Sequence, residues 1–308
     1  MSQSIRIKSP ATIANLVCGF DILGLALEEP YDLMTLEKTD GAGLEIIHTD
    51  EYKLPLKPED NVAGAALLAF LDEYGQAPGL KLTIDKRIKP GSGLGSSAAS
   101  AAGAVFAANE LLGRPFNNND LIRFAMFGEK VASGVKHADN ITPCLIGGVT
   151  LIRAIHPLDV VSLDAPELFI TVVHPQIEVR TSDARQILRK EVPLQLAIKQ
   201  WGNIAGLVAG LMKGDYELIG RSLEDVIIEP VRSILIPGFD DVKKQCKEAG
   251  ALGGGISGSG PSIFMLSKDL KTAEAVEAEM KNIYARIGIE HKTYVTKLNA
   301  KGMTIIED

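Results

Sequence analysis

Residues 90–99 read Pro-Gly-Ser-Gly-Leu-Gly-Ser-Ser-Ala-Ala, with glycine at every second position from Gly91 to Gly95. Glycine adopts backbone angles that other residues resist, so successive N–H groups can turn toward one point. The small residues that follow predict a helix ending near Gly113, and the N-terminus of a helix carries a partial positive charge. This combination favours a loop that holds phosphates, with a tight turn under a closely packed helix as the alternative.

Two familiar phosphate-binding patterns are absent from this stretch. No lysine follows Gly95, so the Walker A pattern is not present. The glycines are spaced G-x-G-x-G, not G-x-G-x-x-G, and no acidic residue stands at the distance expected for a ribose contact. The sequence therefore excludes a P-loop NTPase and a dinucleotide-binding domain of the usual kind.

The elements around the loop predict an α+β fold. Leu80, Leu82 and Ile84 alternate as a strand before the loop, and Asp60 is expected to cap a helix that stops at Gly75. The pattern changes near residue 160, which predicts two domains over 1–160 and 161–308. Helices in the second half are bunched between short strands, as in an α+β sandwich.

The overall composition indicates a soluble cytoplasmic protein. The chain has 308 residues and a net charge of −7, and no segment concentrates lysine or arginine, so nucleic acid is an unexpected partner. The three cysteines are far apart, without a CxxC pair. No secretory signal is visible, and residues 90–109 contain too few large apolar side chains to span a membrane.

Three segments together resemble the GHMP kinases. Residues 90–99 are similar to the ATP-binding signature of that superfamily, 254–261 (GGISGSGP) to its glycine-rich third motif, and 10–21 (PATIANLVCGFD) to its first motif. They occur in the expected order over nearly the whole chain. The resemblance implies an N-terminal domain like domain 2 of ribosomal protein S5 and a ferredoxin-like C-terminal domain, with the active site between them.

Further residues resemble the homoserine kinases within that superfamily. These are the run His137-Ala-Asp139-Asn140 and the segments 181–185 (TSDAR) and 229–232 (EPVR). The resemblance implies phosphorylation of L-homoserine by ATP to O-phospho-L-homoserine and ADP, a step of threonine biosynthesis. It also implies Mg²⁺ and a homodimer.

The resemblance assigns one group of residues to the nucleotide. The residues expected to bind ATP are Asn61, Pro90, Gly91, Ser92, Gly93, Leu94, Gly95, Ser96, Ser97, Ala98 and Ala99. Ser97 and Glu129 are expected to hold Mg²⁺, because a hard cation prefers oxygen ligands.

A second group is assigned to the amino acid and to catalysis. The residues expected to bind homoserine are Asn15, Asp21, His137, Asp139, Arg185, Arg232 and Gly258. A guanidinium suits the carboxylate, and carboxylates suit the ammonium. The residues expected to act in catalysis are Asn140, Glu129, Thr181 and Arg185. Since Asn140 stands where relatives have aspartate, no strong general base is expected.

Two other functions stay open at this point. A GHMP kinase for another alcohol, such as mevalonate or a sugar, would be expected to have aspartate at position 140 and less need for two arginines. A catalytically inactive relative that senses an amino acid or nucleotide would be expected to lack Glu129 or Ser97, and both are present. One departure from the homoserine kinases is Asn203, where histidine is frequent, and Asn203 is left out of the predicted site.

Overall fold

In the computed structural model, residues 3–179 and 181–307 are described. The strands are β1 (Ser4–Ala14), β2 (Leu23–Thr39), β3 (Leu44–His48), β4 (Gly79–Asp85), β5 (Val149–Ile155), β6 (Leu158–Leu163), β7 (Phe169–Pro175), β8 (Gly253–Ile256), β9 (Ile263–Ser267), β10 (His291–Lys297) and β11 (Thr304–Ile305). The helices are α1 (Val62–Tyr74), α2 (Ser96–Leu111), α3 (Asn118–Ser133), α4 (Ile141–Ile146), α5 (Thr181–Gln186), α6 (Leu194–Lys213), α7 (Tyr216–Ser222), α8 (Glu229–Arg232), α9 (Phe239–Glu248) and α10 (Leu270–Ile287).

The first sheet is built on the long strand β2. It pairs antiparallel with β1, β4 and β5, while β3 runs parallel to β4. Helices α1, α2 and α3 pack against one another, and α2 lies on β1 and β2. Alanines give α2 a small cross-section that allows this close approach, and a Cβ at Gly103 would collide with the Met34 sulfur. The layer of helices thereby fixes where α2 begins, at the end of the glycine loop.

The second sheet has the order β10-β7-β9-β8, and its described pairings are antiparallel. Helices α9 and α10 pack on it through a cluster that includes Val242, Val276 and Tyr284. Two mixed layers of this kind confirm the predicted α+β fold with two sheets. Strand β6 crosses residue 160 and ends at Leu163 in the first sheet, and β11 near the end of the chain pairs back onto β1.

One predicted cap is corrected by the structure. Asn61, not Asp60, begins α1, because its side chain accepts hydrogen bonds from the N–H groups of Ala63 and Gly64. Asp60 belongs to a short 3₁₀ turn just before the helix. Within the described ranges, no helix combines the length and apolar character that crossing a membrane requires.

Candidate active site

A cavity of about 360 Å³ lies where the glycine loop, α3 and the segments around α5 and α8 meet. Seventeen of the predicted site residues line it: Asn15, Asp21, Asn61, Pro90, Gly91, Gly93, Gly95, Ser96, Ser97, Glu129, His137, Asp139, Asn140, Thr181, Arg185, Arg232 and Gly258. These residues come from segments far apart in sequence. The fold thus brings the three glycine-containing motifs and both arginines to one site.

Close backbone packing explains the glycines of residues 90–99. Gly91, Gly93 and Gly95 have φ values of 74°, 82° and 67°, in the region that favours glycine. A Cβ at Gly95 would collide with the Thr12 hydroxyl, and one at Gly93 would meet the main chain of Gly260. The first and third motifs therefore pack directly on the loop, which runs into the N-terminus of α2.

Four residues predicted to bind ATP do not line the cavity. Ser92, Leu94, Ala98 and Ala99 are buried, with exposures of 2% or less. Leu94 and the two alanines pack into the hydrophobic core, and the Ser92 hydroxyl accepts a hydrogen bond from the Leu94 N–H. Their side chains anchor the loop on the protein side, while Gly91, Gly93 and Gly95 face the cavity.

Glu129 of α3 brings a buried carboxylate to the cavity. Burial raises its pKa, and a hydrogen bond with Ser97 acts in the opposite direction. Ser97 lies in the first turn of α2, so a hydroxyl and a carboxylate oxygen stand beside the glycine loop. Among the described residues, no group of three or more His, Cys, Asp and Glu side chains could hold a metal unaided.

An ion pair between Arg185 and Asp21 lines the cavity. Arg185 Nη2 lies 3.0 Å and 3.3 Å from the two carboxylate oxygens of Asp21. Asp21 has a φ of 61°, and its N–H donates to Asn15 Oδ1, so the turn between β1 and β2 aims this carboxylate at the cavity. The sequence predicted both charged residues but not their contact with each other.

Arg232 is buried in the same region. It donates from Nε to the carbonyl of Ala184 at 2.9 Å and from Nη1 to the carbonyl of Gly258 at 3.2 Å. Burial, followed by repulsion from Arg185, lowers the pKa of Arg232 to about 10. Both guanidinium groups lie over the ring of Phe20, at 4.8 Å for Arg232 and 5.8 Å for Arg185. Two neighbouring cations create a local positive potential that an anion would relieve.

Two buried nitrogens face this region without a hydrogen-bond partner in the described part of the chain. They are Nε of Arg185 and Nε2 of His137. Buried polar atoms are nearly always paired, so such atoms beside a cavity indicate a ligand or a water. His137 Nδ1 lies 3.8 Å from Asp21 Oδ1, and burial lowers the pKa of the imidazole.

Asn140 and Thr181 also line the cavity. Thr12 donates to Asn140 Oδ1 at 2.7 Å, which fixes the amide with its NH₂ group free to turn toward a ligand. The Thr181 and Ser259 hydroxyl groups are 3.2 Å apart. Thr181 opens α5, and Ser259 belongs to the third glycine motif.

Asp139 is a buried carboxyl next to Asn140. Burial, followed by repulsion from Asp21 and Glu129, raises its pKa from 3.8 to about 7. The folded protein therefore keeps this proton over a range in which the unfolded chain has lost it. The stability contributed by the protonated form is present below about pH 4 and is lost as the pH rises through about 7.

We expect Asp139→Asn to remove this pH dependence. The free energy of unfolding of the variant, minus that of the wild type, should increase between about pH 5 and about pH 8, since only the wild type ionises a buried group. Urea denaturation at several pH values measures the free energy of unfolding of both proteins. A difference that stays constant with pH would contradict the raised pKa.

Asn61 lines the cavity together with His48 and Pro55, which it contacts. Its Nδ2 donates to the carbonyl of Pro55 at 2.6 Å and lies 3.2 Å from His48 Nε2, while its Oδ1 caps α1. His48 Nδ1 lies 3.1 Å from the Asp50 carboxylate. All hydrogen-bonding groups of the Asn61 amide are thus used within the protein. Asn61 therefore contributes to the cavity by fixing the start of α1 and by lining the wall.

Several cavity residues were missed by sequence reasoning. They are Ala14, Phe20, His48, Leu54, Pro55, Asp60, Val62, Lys86, Ser100, Ala132 and Ser259. Phe20 and Ser259 fall inside the first and third motifs, so the motif boundaries could have suggested them. Lys86 follows an ordinary strand and carries no local signal, because its partners lie in other elements.

Comparison with known proteins places the two halves in one family. The GHMP kinases N terminal domain matches residues 61–148, and GHMP kinases C terminal matches residues 207–286. A homoserine kinase of Chloroherpeton thalassium is 44% identical, over 97% of this chain and 98% of its own length.

Solved structures agree with this placement. A crystal structure of homoserine kinase from Cytophaga hutchinsonii superposes with a TM-score of 0.95 at 48% identity, covering 99% of this chain and 98% of that one. The mevalonate kinase of L. major, at 17% identity, covers 97% of this chain and 96% of that one with a TM-score of 0.73, which shows a shared fold.

Proposed function

This chain belongs to the GHMP kinase family, with homoserine kinases as its full-length relatives, and on that premise we propose that it phosphorylates L-homoserine. The γ-phosphoryl group of ATP is transferred to the side-chain hydroxyl, giving O-phospho-L-homoserine and ADP. As the name homoserine kinase implies, the reaction is a step of threonine biosynthesis.

The observation that carries the proposal is the arrangement of charges around Arg185. Homoserine is a zwitterion, with one carboxylate and one ammonium. The Arg185–Asp21 pair offers one opposite charge to each of them, so the substrate exchanges with an existing ion pair and buries no uncompensated charge. Arg185 Nε, which is buried, supplies a further donor for the carboxylate, and the buried His137 Nε2 supplies a further polar contact for the substrate.

The wall of the cavity formed by the glycine loop suits a nucleoside triphosphate. The glycine loop and the N-terminus of α2 provide main-chain N–H donors for the phosphates. Asn140 lies beside this loop, since a Cβ built on Gly95 would stand 3.0 Å from its Oδ1. We assign Asn140 and Thr181 to the homoserine hydroxyl. Alignment of hydroxyl and γ-phosphorus, with neutralised charge, is the main requirement of phosphoryl transfer.

The proton and bond changes follow from the residue at position 140. The new bond joins the homoserine oxygen to the γ-phosphorus, and the bond from that phosphorus to the bridging oxygen of ADP breaks. An amide is not a base, so Asn140 orients the hydroxyl through its NH₂ group and does not take the proton. The proton passes to an oxygen of the transferred phosphoryl group.

Magnesium fits the oxygen groups beside the glycine loop. Ser97 and Glu129 offer a hydroxyl and a buried carboxylate, and phosphates and waters would complete the six ligands that Mg²⁺ prefers. When bound, the ion neutralises phosphate charge. The carboxylate of Glu129 and the hydroxyl of Ser97 are the parts of this chain that would hold it there.

We also propose a homodimer in the cytoplasm, in which each chain forms two domains over about residues 1–160 and 161–308, with the end of β6 and β11 completing the sheet of the first domain. The exposed apolar residues Leu194, Ile198 and Trp201 on α6 support self-association, because apolar patches of this kind mark protein contacts. Light scattering after gel filtration measures the mass directly. A mass near 32.9 kDa at all concentrations would contradict the dimer.

The experiment that tests the reaction identifies its product. Phosphorus NMR of a mixture of enzyme, Mg²⁺, ATP and L-homoserine should show one new phosphomonoester resonance for each ADP formed. Its identity is checked by adding authentic O-phospho-L-homoserine. ADP that appears together with inorganic phosphate alone would mean that the enzyme hydrolyses ATP, and the proposal would fail.

A further inference from the structure

A buried ion pair lies beneath the glycine loop. Lys86, just after β4, places its Nζ 2.5 Å from Oδ2 of Asp32 in the middle of β2. The two side chains are 3% and 0% exposed, although Lys86 also borders the cavity. Burying two charges carries a desolvation cost that their attraction need not repay, so a pair in this position is weak support for stability alone.

The other contacts of Lys86 are with the start of α2. Its Nζ donates to the carbonyl of Ser96 at 2.9 Å and to the Ser100 hydroxyl at 2.8 Å. An ammonium has three donors, and Asp32, Ser96 and Ser100 account for all of them. Lys86 thus fixes the first turn of α2, which carries Ser97.

Asp32 makes the matching contacts at the other end of the loop. Its Oδ1 accepts hydrogen bonds from the N–H groups of Arg87 at 2.7 Å and Ile88 at 2.8 Å. The Ser96 hydroxyl donates to the carbonyl of Ile88 at 2.8 Å, which ties the entry of the loop to its exit. One ion pair therefore holds both ends of residues 89–95.

We propose that Lys86 and Asp32 are positioning residues that hold the loop in its phosphate-binding shape before the nucleotide arrives. Gly91, Gly93 and Gly95 leave the free loop many conformations, and fixing them at the moment of binding would cost affinity. The charges of the pair neutralise each other, so its effect passes through the main chain of the loop. The proposal rests on the proposed function for the identity of the ligand as a nucleotide.

The test compares ADP with adenosine, which lacks phosphates, by calorimetric titration of the full chain. Lys86→Met is expected to weaken ADP binding by about 10-fold or more and adenosine binding by less than about 2-fold. Equal weakening of both ligands, or no change in either, would overturn the positioning role. A wild-type protein that binds ADP no better than adenosine would instead overturn the phosphate loop, and with it the proposed function.

Asp32→Asn separates positioning from direct contact. If Lys86 held the phosphates itself, this variant would free its charge and ADP binding would stay the same or improve. We expect ADP binding to weaken selectively, as in Lys86→Met, since the loop loses the same pair. Unchanged or tighter binding of ADP would contradict the proposal.

A milder variant keeps the proposal testable if neither charge variant folds. Ser100→Ala removes one acceptor of Lys86 and leaves the ion pair, and it should weaken ADP binding by about 3-fold relative to adenosine. Thr171→Val is the matched control, because it removes a buried hydroxyl that donates to the Ala273 carbonyl at 2.9 Å in the second sheet. An equal effect of Ser100→Ala and Thr171→Val on the ratio of ADP to adenosine affinity would overturn the proposal.

Discussion

Glu129→Gln is expected to lower kcat by about 10³-fold while the protein stays folded. Glutamine keeps the size of the side chain and an oxygen that can accept from Ser97, but it removes the charge that we assign to Mg²⁺. Because burial raises the pKa of this carboxyl, its ionised form is disfavoured in the folded state. Near neutral pH, the free energy of unfolding should therefore be unchanged or higher in the variant.

This opposition between activity and stability distinguishes the assignment from a structural role. Substitution of a residue needed only for folding would lower kcat and the free energy of unfolding together. In addition, Mg²⁺ should tighten ADP binding to the wild type and have little effect on the variant. Glu73→Gln is the control, since Glu73 pairs with Arg123 on the surface, away from the cavity. A Glu129→Gln enzyme with kcat within about 3-fold of the wild type would remove Glu129 from the active site.

Arg232→Ala is expected to raise the KM for homoserine by about 100-fold and to leave the KM for ATP within about 2-fold. The physical reason is the crowding of positive charge. Burial, followed by repulsion from Arg185, lowers the pKa of Arg232, and both guanidinium groups lie over the Phe20 ring. A substrate carboxylate is therefore stabilised by both cations at once. Loss of one cation leaves the substrate carboxylate incompletely paired in a buried site.

A conservative change refines this prediction. Arg232→Lys keeps the charge but loses the planar guanidinium that also donates to the carbonyls of Ala184 and Gly258. We therefore expect its homoserine KM to lie between those of the wild type and Arg232→Ala. Arg286→Ala is the control, because Arg286 forms an exposed pair with Asp241. An unchanged homoserine KM in Arg232→Ala would place the substrate carboxylate elsewhere.

Local signals made much of this site predictable. Alternating glycines before a run of alanine and serine encode a loop and a close-packed helix within one short segment, and the structure contains both. Helix ends at Gly75 and Gly134 were predictable for the same reason, since each glycine adopts a positive φ that other residues disfavour. The prediction that Asp60 caps α1 was wrong, because Asp and Asn can both cap a helix and the neighbouring Asn61 takes that position.

Contacts between distant segments were beyond the sequence. Asp32 and Lys86 are 54 residues apart, and Asp21 and Arg185 are 164 apart, so nothing in either local pattern marks them as partners. Strand β11 is two residues long and exists only because β1 offers it an edge. Pairing of this kind depends on the assembled sheets, which periodicity does not describe.

Release of ADP with a panel of alcohols tests the central claim most directly. The enzyme, with Mg²⁺ and ATP, is offered L-homoserine, D-homoserine, mevalonate, galactose and shikimate at equal concentration. We predict rapid turnover with L-homoserine alone, because the carboxylate, ammonium and hydroxyl must reach the arginines, the aspartates and Asn140 together. Preferred turnover with another alcohol, or binding of nucleotide without turnover on any of them, would contradict the account.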